Sequence, residues 1–188
     1  MAIAVKLDFD DVYDIKPLSE DLRISTFETE LSDGSTLPLL VEISNDPHEL
    51  LPEVFNLAFG PPTNKGEIDD KAEITHKNYS RTFSSILLSG LIYLNSNTAH
   101  YLGIDGSNNA RAYLYYRFLQ QNYDYLDRYF NVYGLKYYVR ISRFGKHQYD
   151  NPFDFNDIYP FPEKIKKAMQ LNPDFMYNYF IFNRKHLN

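Results

Sequence analysis

The chain has 188 residues, 44% of them hydrophobic and 23% charged, with a formal net charge of −6. That size supports one domain with a substantial core, and the composition excludes global disorder. The absence of cysteine removes disulfides, thiol catalysis and cysteine-held zinc, while the acidic balance disfavours broad binding to phosphate backbones.

The first signals are extended. The segment LRISTFETEL, residues 22–31, alternates apolar and polar side chains, SDGS at 32–35 is a turn, and TLPLLVEIS at 36–44 is a second run. Together they predict an antiparallel hairpin, with Pro38 on an edge or at a bulge. A third strand is expected over 54–59. The turn PPTNKG leads to EIDDKAEIT, 67–75, read as a fourth strand carrying Asp69 and Asp70.

Phe83, Ile86, Leu87, Gly90, Leu91 and Leu94 then recur at helical spacing and predict a helix over 79–95, capped by Asn78 or Ser80. A short strand follows at 98–104. Gly106 turns the chain, and Ser107 or Asn108 opens a second long helix, 108–130. NVYGLKYYVRISRF, 131–144, is a further strand region. Past 145 the texture becomes rich in Pro, Asn and Asp, with a short helix expected at 162–170 and a last strand in MYNYFIFNR, 176–184. This reads as a single α/β (α+β) domain over 1–145 with a C-terminal elaboration, 146–188, packed on it. The sheet is expected to be mixed and largely antiparallel, with two principal helices.

The second helix carries a question. On a helical wheel Leu114, Tyr115, Phe118, Leu119 and Leu126 cluster on one side, and Arg111 and Asn122 fall within the same arc. A buried guanidinium requires a carboxylate or an anionic ligand. Arg111 therefore either bridges as a strut to Asp69, Asp70 or Asp105, or forms an anion pocket with the amides after Gly106. The strut, an ion pair of Arg111 with Asp69 or Asp70, is the expectation.

Two stretches, FNLAFGPPTNKGEIDD at 55–70 and GSNNARAYLY at 106–115, together with the ending MYNYFIFNRK, resemble an uncharacterised family of small bacterial proteins, a domain of unknown function. Gly106, Ser107, Ala110, Arg111, Leu114 and Tyr115 occupy that family's Gly-Ser-x-x-Ala-Arg-x-x-Leu-Tyr positions. The resemblance covers roughly 50–140 plus the ending and implies a shared fold without an activity. The order of elements is loosely similar to the GNAT acetyltransferase fold. That resemblance implies acetyl-CoA as cofactor, with Arg81 on phosphate, Ser107, Asn109 and Arg111 at the cofactor, and Tyr115 or Tyr116 as general acid. The glycine-rich pyrophosphate loop of that superfamily is missing from THKNYSRTFSS, 75–85.

The remaining constellations are weaker. None of the five histidines forms an i, i+4 helical pair, and no metal site is expected. Lys164, Lys166 and Lys167 with Arg184, Lys185 and His186 form a basic cluster that a nucleic-acid-directed toxin could use, although a solvated face explains it more simply. There are 17 Tyr and 14 Phe but no Trp, a composition that suits half-buried surfaces and interfaces. The reading favoured is a protein-interaction component without a cofactor. Its partner would be another protein, such as a cognate toxin or antitoxin in a defence pair, or a second copy of itself. The alternatives are an acyl-CoA- or nucleotide-using transferase and the nucleic-acid-directed toxin. No run is long and apolar enough to span a membrane. The opening MAIAVKLDFDD lacks a secretory core and cleavage site, so a cytoplasmic location is expected.

Overall fold

The computed structural model describes residues 5–69, 72–106, 108–141 and 153–185. Within them the chain forms β1 (Lys16–Pro17), β2 (Ile24–Glu30), β3 (Thr36–His48), β4 (Leu51–Gly60), α1 (Tyr79–Ser96), β5 (Tyr101–Asp105), α2 (Asn109–Gln121), α3 (Tyr123–Leu126), β6 (Phe130–Ile141), β7 (Phe153–Lys164) and β8 (Tyr179–Arg184). A single 3-10 turn, Pro173–Phe175, precedes β8. The fold is mixed α/β: one eight-stranded, mostly antiparallel sheet in the order β1-β2-β3-β4-β5-β8-β6-β7, with α1 and α2 as its principal helices.

The hairpin forms as its alternation dictates. Phe27 stands opposite Leu39 and both are fully buried, while Glu28 and Glu42 between such positions are exposed. Pro38 has the local edge it requires, because β4 pairs with β3 only from Leu40 onward. A second proline, Pro47, sits where the β3–β4 register shifts.

The alignment β4–β5 is parallel and short. It covers Val54–Asn56 against Tyr101–Gly103. Both chains continue past it, but β5 then pairs only with β8, so the two strands diverge. The chain end closes the sheet: β8 enters between β5 and β6. Its sequence YFIF places Phe180 and Phe182 in the main core and Tyr179 and Ile181 in a smaller cluster with Val54 and Leu135. A strand buried on both faces reads as a continuous apolar run.

Helix α1 begins at Asn78, whose side-chain oxygen accepts from the Arg81 N–H at 3.0 Å. Ile86, Leu87, Leu91 and Leu94 are buried on its predicted face. Gly90 is where the helix meets the sheet, since an added Cβ would lie 2.9 Å from Leu102 and 3.2 Å from Leu57. Helix α2 is capped by Asn108, which accepts from the Arg111 N–H at 2.9 Å.

Four expectations are corrected. The segment 67–75 forms no strand among the described residues; its Ile68 makes a single bridge with Pro62, and His76 just beyond it bridges Leu31. Strand β4 already has β3 on one edge and β5 on the other, so the alternation there has no ladder to join. The helix expected over 108–130 ends at Gln121 and resumes as the short α3. The helix expected at 162–170 is instead the end of β7 and a turn region. Finally, of the predicted arc Leu119, Asn122 and Leu126 are buried, whereas Arg111, Leu114, Tyr115 and Phe118 are not, and Ala112 and Tyr116 join Leu119 in the buried row of α2.

The segment 5–15, for which composition predicted nothing, is stitched across the helices. Its backbone N–H groups donate to side chains: Lys6 to Ser80 Oγ, Asp8 to Ser84 Oγ and Tyr13 to Ser85 Oγ, each at 2.9 Å, Leu7 to Asn122 Oδ1 at 2.9 Å and Phe9 to the Tyr125 hydroxyl at 2.6 Å. The serines of α1 thus act as a ladder for a segment that has no strand partner.

Candidate functional site

Two surfaces of the fold carry features that core packing leaves unused. The first is the hairpin of β6 and β7. The inner half of β6, Phe130–Leu135, pairs with β8, but from Lys136 outward its only partner is β7. The outer half is therefore a two-stranded ribbon at the end of the sheet. It exposes Tyr137, Tyr138, Ile141, Phe153, Phe155, Tyr159 and Phe161, with Phe155 at 60% and Tyr159 at 69% of their free surface. Tyr138 stands opposite Tyr159 and meets Phe161 edge-on at 6.0 Å, so these rings share one face. Tyr137 lies on the other face, where its hydroxyl meets His48 Nε2 at 3.0 Å and ties the ribbon to the end of β3.

The ribbon's charges cancel locally. Lys136 pairs with Glu163 at 2.6 Å and Arg140 with Asp157 at 3.4 Å. Pro160 and Pro162 are two apart, so their missing N–H groups fall on the same edge of β7, away from the ladder with β6. That half of the strand cannot donate to an added strand. What the ribbon offers a partner is side chains: aromatic, exposed and locally neutral.

The second surface is a cleft of about 570 Å³ where β4 and β5 diverge. Leu57, Phe59 and Ile104 line it from the sheet, Tyr79 and Phe83 from α1, and Arg111, Leu114, Tyr115 and Phe118 from α2. This explains the arginine in the apolar arc. The first part of the arc that the sequence assigns to the core, Arg111 to Phe118, fronts an open cleft, and Leu114 is 61% exposed. The ion pairs among the described residues include none from Arg111. The expected strut to Asp69 is not among them, and Asp70 lies outside the described residues. Asp105 shares the cleft with Arg111.

The other predicted residues are dispersed. Arg81 does not line the cleft. Its guanidinium lies over the Tyr13 ring at 4.5 Å, donates to the Val12 carbonyl at 3.0 Å and approaches Asp11 at 3.3 Å, so it anchors the N-terminal segment. Tyr116 is buried, donates its hydroxyl to the Met169 carbonyl and accepts from Gln120 Nε2 at 3.2 Å. Burial raises its pKa further. Of the proposed acids, Tyr115 alone reaches the cleft, where it also meets Phe180 edge-on at 6.3 Å. Asn109 is exposed at the start of α2, and Ser107 lies outside the described residues. Arg81, Tyr116 and Asn109 are thus not brought together around one substrate position.

Three members of the basic cluster are engaged within the fold. Lys167 pairs with Asp124 at 2.5 Å, Lys185 with Asp127 at 2.6 Å, and Lys164 donates to Asn131 at 3.1 Å. His186 lies outside the described residues. No group of three or more His, Asp or Glu among the described residues could hold a metal ion, and none of the described helices is long and apolar enough to cross a membrane.

His76 is packed against the hairpin. Its Nδ1 meets Thr29 Oγ1 at 3.0 Å, and Thr29 in turn meets Thr82 at 3.1 Å. Burial lowers its pKa below the ordinary 6.5. The folded state then binds this proton less readily than the unfolded chain. The stability it supports is complete above pH 6.5 and is lost as pH falls through the lowered value. We expect denaturant midpoints measured between pH 7.5 and 5 to show this loss. Replacing His76 with Gln should flatten the slope, by at most about 1.4 kcal/mol per pH unit.

Residues Asn122 and Gly134 escaped the functional reading of the sequence. Asn122 was visible as a polar residue inside an apolar arc, the same signal that marked Arg111. Gly134, in the middle of a strand pattern, is the usual sign of close approach.

Residues 11–155 match DUF6934, a family of unknown function, and the chain belongs to that family. No curated protein and no solved structure matches it.

Proposed function

We propose that this member of a family of unknown function is a protein-interaction component that works through the β6–β7 ribbon. The observation that carries the reading is the concentration of seven large exposed apolar side chains on one two-stranded ribbon. Patches of that kind mark protein interfaces, and Tyr and Phe are enriched there. The partner whose chemistry fits first is a second copy of the chain. The net charge of −6 makes copies repel, but the ribbon neutralises its own charges in two ion pairs, so it is a place where two acidic copies can meet. An isologous contact closes the patch without leaving a new one exposed. A cognate toxin or antitoxin with an apolar surface would use the same side chains.

Sedimentation velocity of the purified chain beside a Phe155→Ser/Tyr159→Ser variant tests this. Both side chains are largely solvent-exposed in the single chain, so the variant should stay folded, with the far-UV circular dichroism of the parent, and lose only the stability that association adds. The parent chain should sediment as a dimer at micromolar concentration and the variant as a monomer. Identical sedimentation of the two as monomers would refute self-association through the ribbon.

A further inference from the structure

We infer that the cleft between the diverging ends of β4 and β5 binds a small amphipathic carboxylate: an aromatic or aliphatic body bearing a single negative charge. The argument begins with space. At about 570 Å³ the cleft lies within the range of ligand-sized pockets, and its walls are mainly apolar. Phe59, Phe83 and Phe118 would face the body of the ligand.

The second observation is the guanidinium. Arg111 is half-buried in this apolar setting. Among the described residues its side chain has neither an ion pair nor a hydrogen bond; its backbone N–H alone is engaged, by Asn108. A cation held against an apolar wall loses hydration, and an anion restores the balance. Arginine's planar fork matches a carboxylate in two parallel hydrogen bonds.

The third observation sets the charge. Arg117 also lines the cleft, with an exposed side chain whose guanidinium sits over the Tyr113 ring at 5.9 Å. Asp105 occupies the sheet side of the same cleft. Two guanidinium groups and one carboxylate leave the cleft with a single net positive charge, which suits a monoanion and opposes a polyphosphate. Leu114 fits the same picture, as an apolar side chain left 61% exposed at the cleft. The site is independent of the ribbon, so failure of either reading leaves the other standing.

Isothermal titration calorimetry with 4-phenylbutyrate, its uncharged amide and coenzyme A tests the inference on the full chain. We expect saturable binding of 4-phenylbutyrate, with the amide at least about tenfold weaker and coenzyme A weaker still. Arg111→Gln should weaken 4-phenylbutyrate about tenfold or more, and Arg111→Lys less. Ala58→Phe fills the cleft while keeping the arginine and should abolish binding; it decides the matter if the Arg111 variants fail to fold. Absence of saturable 4-phenylbutyrate binding, equal affinity for the amide, or binding untouched by both Arg111→Gln and Ala58→Phe would overturn the site. Tighter binding of coenzyme A than of 4-phenylbutyrate would overturn the monoanion class.

Discussion

Replacing Asn122 with Ala is expected to destabilise the fold by about 3 kcal/mol and to lower the melting temperature by about 6–12 °C, a large effect for one polar side chain. Asn122 is 5% exposed and uses both ends of its amide. Its Oδ1 accepts from the Leu7 N–H at 2.9 Å, and its Nδ2 donates to the Val5 carbonyl at 2.9 Å and the Phe118 carbonyl at 3.0 Å. Alanine leaves the Leu7 amide without a partner in a buried setting, which costs about 1–3 kcal/mol for each such group. The loss also spreads. Leu7 and Tyr13 belong to the main core, and Arg81 is held by Asp11, Val12 and Tyr13. Amide exchange of Leu7 should accelerate in the variant well before global unfolding. An unchanged melting temperature with a protected Leu7 amide would contradict this account.

The second large effect is expected at Gly134. A Cβ built there would lie 2.3 Å from the Cγ and Cδ2 atoms of Tyr177. The Tyr177 ring is fully buried, and its hydroxyl donates to Glu163 at 2.5 Å, the residue directly opposite Gly134 in the β6–β7 register. The ring therefore crosses the backbone of β6 to reach the neighbouring strand. No side chain fits between them. Gly134→Ala must displace the ring and break its bond to Glu163, at a cost of about 3 kcal/mol. Tyr177→Leu alone is also destabilising, through the lost packing and hydroxyl. Combined with Gly134→Ala it should cost less than the sum of the two, because each change removes the reason for the other. Strict additivity in urea denaturation would show that the contact does not carry the effect.

The sequence is most legible where burial follows a local period. The β2–β3 hairpin and α1 agree with their predicted positions because alternation and the 3.6-residue repeat report one covered face. The repeat cannot say what covers it. Arg111, Leu114, Tyr115 and Phe118 form a helical stripe whether they meet core or cleft. The buried row Ala112, Tyr116 and Leu119 contains a small residue and a tyrosine, which a hydrophobicity pattern underweights. The break of α2 at Asn122 has no Gly or Pro to announce it; it comes from hydrogen bonds to residues more than a hundred positions away.

The misreading of 153–164 has a different cause. Pro160 and Pro162 argue against a strand unless it lies at an edge, and edge position is a property of the assembled sheet. The period-two spacing of Phe153 with Phe155 and of Tyr159 with Phe161 was the available signal. The last strand was legible from its apolar run, but its place between β5 and β6 rests on pairings distant in sequence. Of the proposed site residues, Arg111 and Tyr115 line the cleft; Arg111 was legible because a charge within an apolar arc is a local anomaly, whereas Tyr115 was proposed by resemblance. Arg81 and Tyr116, also assigned by resemblance, are held by residues that resemblance did not include, Asp11 to Tyr13 and Met169.

The most direct test of the central claim is photo-crosslinking from the ribbon. A benzophenone amino acid at position 159, with one at exposed Ser32 as the control, reports which surface another chain touches. The ribbon reading predicts a discrete product at twice the mass of the chain from position 159 and not from position 32. No discrete product from position 159, or equal yields from the two positions, would contradict it.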